Sequence, residues 1–202
     1  NWGDGTPDTV TDYLVNPPTL DPLPSPSIQP RDVTDIQVHA FADACLYEVT
    51  FSGLDDDGGT DSDSTDVVIV GNAQLIRSAG YWYHQYRGNG RIFLTAEQLQ
   101  CYLDIVNHLS ALFSEEVDAD SRPDATAVLD PSHSTGDIRV QLDRQLLALW
   151  LNFANGAIDY DTLVDTDFDN VPDTALLDVL CAAEAARLNP ATPDSVLESW
   201  KN

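Results

Sequence analysis

An α+β fold is predicted: a small antiparallel β-sheet followed by a helical bundle, with an extended N-terminal arm. Three observations predict it. Prolines crowd residues 1–33, apolar and polar residues alternate between 34 and 76, and from residue 95 the apolar spacing becomes helical. The chain therefore divides into a proline-rich arm (1–33), a β-rich region with an acidic loop and an aromatic junction (34–92), and a helical region (93–202).

The arm contains Asn16-Pro17-Pro18 and Pro22-Leu23-Pro24-Ser25-Pro26, which favour polyproline geometry. Leu14, Val15, Leu20, Leu23 and Ile28 spot it with apolar surface, so an ordered arm must lie on its own body or on a neighbouring subunit. In the next region Asp35–Phe41 and Leu46–Phe51 alternate with period two, and Val67–Val70 is a continuous apolar run that fits a buried strand. Between them, Asp55–Asp66 carries six carboxylates. Two readings stand. One is a solvated hairpin loop; the other is a cation site drawing on Asp55, Asp57, Asp61 and Asp63, since crowded like charges repel unless neutralised. The aromatic run Tyr81–Arg87 also has two readings: a partner- or sugar-binding surface through Trp82 and Tyr83, or a Trp82 plug between sheet and helices.

Thr95 and Gln98 form a capping box, and Leu99, Tyr102, Leu103, Val106, Leu109 and Phe113 mark one face of a helix to about Val117. An Asp-rich loop with Pro123 and Pro131 follows. The helix expected over Ile138–Ala154 is apolar almost all round near its end, which marks it as central, and Asn155-Gly156 stops it. A further helix runs from about Thr174 to Leu188, ended by Asn189-Pro190. Thr192-Pro193 opens a last short helix carrying Val196, Leu197 and Trp200.

A hydrophobic fraction of 43% supports a real core, while the net charge of −25 argues against nucleic acid and anionic membrane surfaces as partners. The acids are mostly Asp, with few Glu and a single lysine, Lys201. That bias suits short-armed cation ligands and Asx turns; adaptation to salt is the alternative, although it should raise Glu as well. No apolar run reaches the roughly 18 residues that span a bilayer. No basic, apolar leader opens the sequence, so a secreted chain with its signal peptide removed is expected. Cys45, Cys101 and Cys181 imply either one disulfide plus a buried thiol or three inert core cysteines.

The most specific chemistry lies at Asp165-Thr166-Asp167-Phe168-Asp169-Asn170-Val171-Pro172-Asp173. Calcium takes six to eight oxygens in loops that place acids at alternate positions. Asp165, Asp167 and Asp169 fall at loop positions 1, 3 and 5, the Val171 carbonyl at 7 and Asp173 at 9. Asn170 occupies position 6, where a left-handed residue is needed and Asn is second only to Gly. Position 12, which should be a bidentate acid, is Leu176; Asp161 or Asp178 are the candidates for the missing carboxylate. The competing reading is an Asp-rich surface turn without metal.

This loop resembles those of thrombospondin type 3 repeats and dockerins, a likeness carried by Asp165, Asp167, Asp169 and Asp173 alone. Residues 80–188, including Gly80-Tyr81-Trp82-Tyr83-His84-Gln85, Arg144–Asn152 and Asn155-Gly156, are similar to a C-terminal module of secreted multidomain microbial surface proteins. That resemblance implies location more than activity. The segment Asp4-Gly5-Thr6-Pro7-Asp8-Thr9 echoes Asp169–Thr174 position by position. It reads either as a half-site, through Asp4 and Asp8, completed by acids elsewhere or on another subunit, or as a chance turn or the remnant of a preceding repeat.

Catalytic machinery does not emerge. His39, His84, His108 and His133 are scattered, Ser132-His133-Ser134 lacks a nucleophile-elbow context, and no phosphate-cradling glycine loop appears. A hydrolase would need a cleft bringing a histidine against an Asp. The expectation is thus a secreted, non-enzymatic, calcium-binding structural protein, a subunit of an extracellular filament or surface assembly formed by homo-polymerisation through the N-terminal arm. The alternative is an adhesin or carbohydrate-binding module of a larger secreted protein.

Overall fold

The computed structural model describes residues 1–12, 34–55, 58–133, 136–166 and 169–201, and its architecture is α+β. Two compact units divide the chain: Asn1–Ala42 with Tyr47–Val67, and Asp43–Leu46 with Val68–Asn202. β1 (Cys45–Leu54) and β2 (Thr60–Ile69), most of whose residues fall in the first unit, form a two-stranded sheet. Their short connection makes the pair an antiparallel hairpin. The Asp55 N–H donates to the Gly59 carbonyl (2.9 Å), and the Asp55 carboxylate accepts from the Gly59 N–H (2.5 Å). The acidic stretch is therefore mostly strand, not loop. Asp61, Asp63 and Asp66 alternate with Ser and Thr on a ribbon exposed on both faces, where Asp meets little packing that would disfavour it.

Residues 35–41 form no strand. Alternation makes a strand only where a neighbour accepts its ladder, and here Ile36 and Val38 stay 82% and 93% exposed. His39 and Phe41 turn in, Phe41 stacked on Tyr47 with ring centroids 4.5 Å apart. Residues 1–12 pack on their own unit. The Thr50 N–H donates to the Asn1 carbonyl (3.0 Å), and Gly3 passes so close to β1 that a Cβ there would sit 2.5 Å from the Glu48 carbonyl oxygen. The remainder of the expected arm, residues 13–33, lies outside the described residues.

The second unit is helical: α1 (Ala79–Arg87), α2 (Ala96–Leu109), α3 (Ala111–Glu115), α4 (Arg122–Leu129), α5 (Ile138–Ala154), α6 (Leu176–Leu188) and α7 (Asp194–Lys201). The aromatic run is a helix. Ser78 caps its start, left-handed Gly88 ends it, and Trp82, Tyr83 and Tyr86 face the core. The predicted 95–117 helix is broken at Ser110, whose extended backbone ends α2 and whose hydroxyl oxygen accepts the Phe113 N–H (3.1 Å) to start α3. Residues around Pro123 are helical because Pro is welcome in a first turn, after the Ser121 cap. α5 is central, packing against α1, α2, α4, α6 and α7, with Leu142, Leu147, Trp150 and Leu151 fully buried.

Several buried polar groups inside this unit are paired, although Trp82 Nε1, Asn107 Oδ1 and Arg122 Nε have no hydrogen-bond partner among the described residues. The Glu184 carboxylate, 3% exposed on α6, accepts from the Ser110 hydroxyl (2.5 Å), the Trp150 indole N–H (2.6 Å) and the Ala111 N–H (3.1 Å). Arg187 on α6 forks onto Asp143 of α5 at 2.6 and 2.9 Å; burial pushes the Asp143 carboxyl up while Arg187 opposes the shift. Arg139, at the start of α5, donates to the carbonyls of Arg187, Asn189, Pro190 and Thr192, closing the end of α6. Beyond α5, left-handed Gly156 meets Gly71 so closely that a Cβ on it would lie 1.9 Å from the Gly71 carbonyl oxygen.

Cys45 and Cys101 form a disulfide across a sequence separation of 56, and Cys181 is free and exposed, not buried as one reading expected. A disulfide is compatible with an extracellular location. Among the described residues no helix is long and apolar enough to cross a membrane.

Replacing Glu184 by Ala strands the Ser110 and Trp150 donors and should destabilise the helical unit by about 2–4 kcal/mol in urea unfolding. Reducing Cys45–Cys101 should lower stability by about 2–5 kcal/mol on the same measurement, with near-native secondary structure retained below the new midpoint.

Candidate functional site

The acidic loop is built on a zipper. β3 (Leu163–Val164) and β4 (Thr174–Ala175) pair antiparallel, Leu163 opposite Ala175 and Val164 opposite Thr174, and the Leu176 N–H donates to the Thr162 carbonyl (2.9 Å). Residues 165–173 are thus pinched at their base. Leu176, at loop position 12, is buried and opens α6, so this position belongs to the core and supplies no ligand.

Inside the loop Asn170 adopts the expected left-handed conformation, φ 68°, the one non-glycine residue among those described to do so. Its N–H donates to the Asp165 carboxylate (2.8 Å), and the Val171 N–H donates to Asp169 (2.7 Å). Position 6 is therefore folded back onto position 1. Asp165 is half-buried, Asp169 and Asp173 are exposed, and Asp167 lies outside the described residues. Asp161 and Asp178 are exposed on either side, Asp178 in the first turn of α6. Asp165, Asp169 and Asp173 do not converge into a tight trio. The group that does, among the described residues, is Cys45, Cys101 and Asp104, with ligand atoms within 4.8 Å. Both its sulfurs are held in the disulfide, so it offers no thiolate to a metal.

The echo at the start of the chain extends to conformation. Gly5 (φ 78°) stands where Asn170 stands, and the Thr6 N–H donates to Asp4 (3.0 Å) as the Val171 N–H does to Asp169. The carboxylates differ in their surroundings. Asp4 also accepts from the Thr6 hydroxyl (2.6 Å) and meets His39 Nε2 at 2.7 Å, with its side chain only 8% exposed. Its oxygens are already engaged, whereas the Asp8 side chain is 56% exposed. The Thr6 hydroxyl first, then His39, lowers the Asp4 pKa from 3.8 to about 2.

His39 does meet an aspartate, as a hydrolase would require. Its ring, however, stacks on Trp2 (4.5 Å) and meets Phe41 edge-on (4.7 Å), and among the described residues no hydroxyl or thiol bonds to it. The pair reads as a packing clamp. Asp55 shapes the hairpin turn, Asp61 and Asp63 each accept the N–H of the next residue (2.9 Å both), and Asp57 lies outside the described residues. Among the described residues Asp61 and Asp63 are strung along a strand and Asp55 lies in the turn, not gathered in one loop as their spacing suggested. Trp82 is fully buried and Tyr83 is 8% exposed, with its hydroxyl between Arg87 (2.7 Å) and Asp130 (3.3 Å); neither forms a partner surface.

The Asp4 shift carries a defined pH dependence. Its folded pKa lies below the ordinary value, so the stabilisation is complete above about pH 4 and is lost as pH falls through about 2. Carboxyl carbon NMR should find the Asp4 midpoint near 2, and Thr6→Val should raise it toward 3.8. Comparison with known proteins finds no matching family model, no matching curated protein and no matching solved structure, so the functional conclusion rests on the chemistry of these residues.

Proposed function

We propose that this chain is a secreted calcium-binding structural protein whose ion is held by the Asp165–Asp173 loop. One observation carries the reading: left-handed Asn170 folds position 6 back onto the Asp165 carboxylate within a loop zipped at its base. That is the turn an oxygen-ligand loop needs before its acids can face one ion. Asp165, Asp167, Asp169, the Val171 carbonyl and Asp173 would be the ligands, with Asp161 or Asp178 replacing the acid that Leu176 cannot provide. Their mutual repulsion is what a divalent cation relieves, and the binding energy adds to folding.

The loop leads directly into α6, which Glu184 and Arg187 fasten to the bundle. Binding therefore stiffens a scaffold and does not open a cleft, which favours a structural role. The disulfide and the acidic surface suit the outside of a cell, where a subunit of a filament or surface assembly would work. Trp82 is buried, so an adhesive aromatic patch centred on it does not support the alternative reading.

Calorimetric titration should give a Kd of about 10⁻⁴–10⁻³ M, typical of extracellular modules. At a hundredfold excess over Kd the gain is about 2.7 kcal/mol, a rise in Tm of roughly 5–10 °C that chelator reverses. Asp165→Asn with Asp169→Asn should remove both signals. Unchanged heats and melting in that variant would defeat the assignment.

A further inference from the structure

Cations are scarce in this chain, nine Lys and Arg against thirty-four acids, and the structure spends most of them internally. Among the described residues, Arg87 bonds the Tyr83 hydroxyl, Arg122 the Tyr86 carbonyl, Arg144 the Leu129 carbonyl and Arg187 Asp143. Arg139 closes α6, and Lys201 pairs with Glu198. Arg77 and Arg91 remain, and neither guanidinium has a hydrogen bond or ion pair among the described residues.

These two arginines lie on one continuous aromatic surface. Arg77 sits 4.8 Å from the Tyr81 ring centroid, Tyr81 stacks on Phe93 at 6.1 Å, and Arg91 sits 4.8 Å from Phe93. Ile76 and Ile92 border it, 67% and 42% exposed, and Phe93 itself is 56% exposed. A guanidinium lying on a ring can keep its edge donors available for a carboxylate.

The patch is also held rigid from beneath by two buried amides. Asn152, on α5, accepts from the Arg77 N–H (2.7 Å) and donates to the Arg77 carbonyl (2.8 Å). Gln85, on α1, donates to the Arg91 carbonyl (2.9 Å) and accepts from the Phe93 N–H (2.8 Å). Both are at most 2% exposed. Such preorganisation lowers the entropy cost of association.

We propose that the Arg77–Tyr81–Phe93–Arg91 surface docks the acidic β2 ribbon of a second copy of this chain, through Asp61 and Asp63. Charge complementarity selects this occupant. At a net charge of −25 two copies repel over most of their surface, and this is where a like copy meets positive charge instead. Asp61 and Asp63 lie two residues apart on β2, on the same face of an exposed strand, and present a repeating anionic edge. The two surfaces are different, so the contact is head-to-tail and can propagate into an open chain of subunits. The inference thus deepens the structural-subunit reading and rests on it.

The test is sedimentation velocity of the full chain over rising concentration, with calcium present and with chelator. Arg77→Glu with Arg91→Glu should weaken self-association by about tenfold or more, and Asp61→Arg with Asp63→Arg should do the same. Combining the four substitutions should restore it, each variant melting like wild type. Assembly in the arginine variant equal to wild type would overturn the docking surface and leave the subunit reading standing. A failure of the four-fold variant to recover would likewise overturn the pairing. A wild-type chain that stays monomeric at every concentration, with or without calcium, would sink the subunit reading and this inference together.

Discussion

A carboxylate buried among helices fixes the geometry on which the rest of this molecule depends. Glu184 sits where an unpaired charge would be very costly, and three donors from two directions make it tolerable. Satisfying it requires the chain to break at Ser110, because that hydroxyl must cap α3 and reach Glu184 at once. It also requires Trp150 to turn its indole N–H toward α6. One turn further on, the Arg187–Asp143 fork repeats the attachment, and Arg139 closes the helix end. α6 is thereby fixed in position and rotation, and the acidic loop at its start is fixed with it.

Much of the helical unit is legible in sequence because its signals are local. The Thr95–Gln98 box, the Asn155-Gly156 stop and the Asn189-Pro190 stop all act within a few residues of where they are written. The left-handed state of Asn170 was legible for the same reason, being forced by one position in a spaced pattern. What failed depends on distant partners. Ser110 carries no breaker residue; only Glu184, seventy-four residues away, explains the break. The 35–41 alternation looks like a strand until it is seen to lack a neighbouring edge. The aromatic run hid a helix because three bulky rings in a short stretch mimic strand composition, and the stretch is named by its Ser78 and Gly88 caps more than by its pattern.

Charge is distributed by the same economy. Several of the described cations are used to close a helix end or hold a side chain, so the exterior is left largely to aspartate. An exterior of that kind solubilises a monomer and resists association. The second turn at Asp4–Thr9 shows that the loop's bend recurs, but with its first carboxylate already engaged by His39. The same local bend thus recurs in both units, with Asp4 held by His39 in one and Asp169 accepting the Val171 N–H in the other.

The Cys45–Cys101 bond encloses β1, β2 and α1 in a single covalent ring. A protease that cuts once anywhere in that ring, for example at the exposed turn near Gly58, leaves two pieces still joined through sulfur. Without a reductant, nicked molecules would keep their full covalent mass, and such damage would shed no fragment.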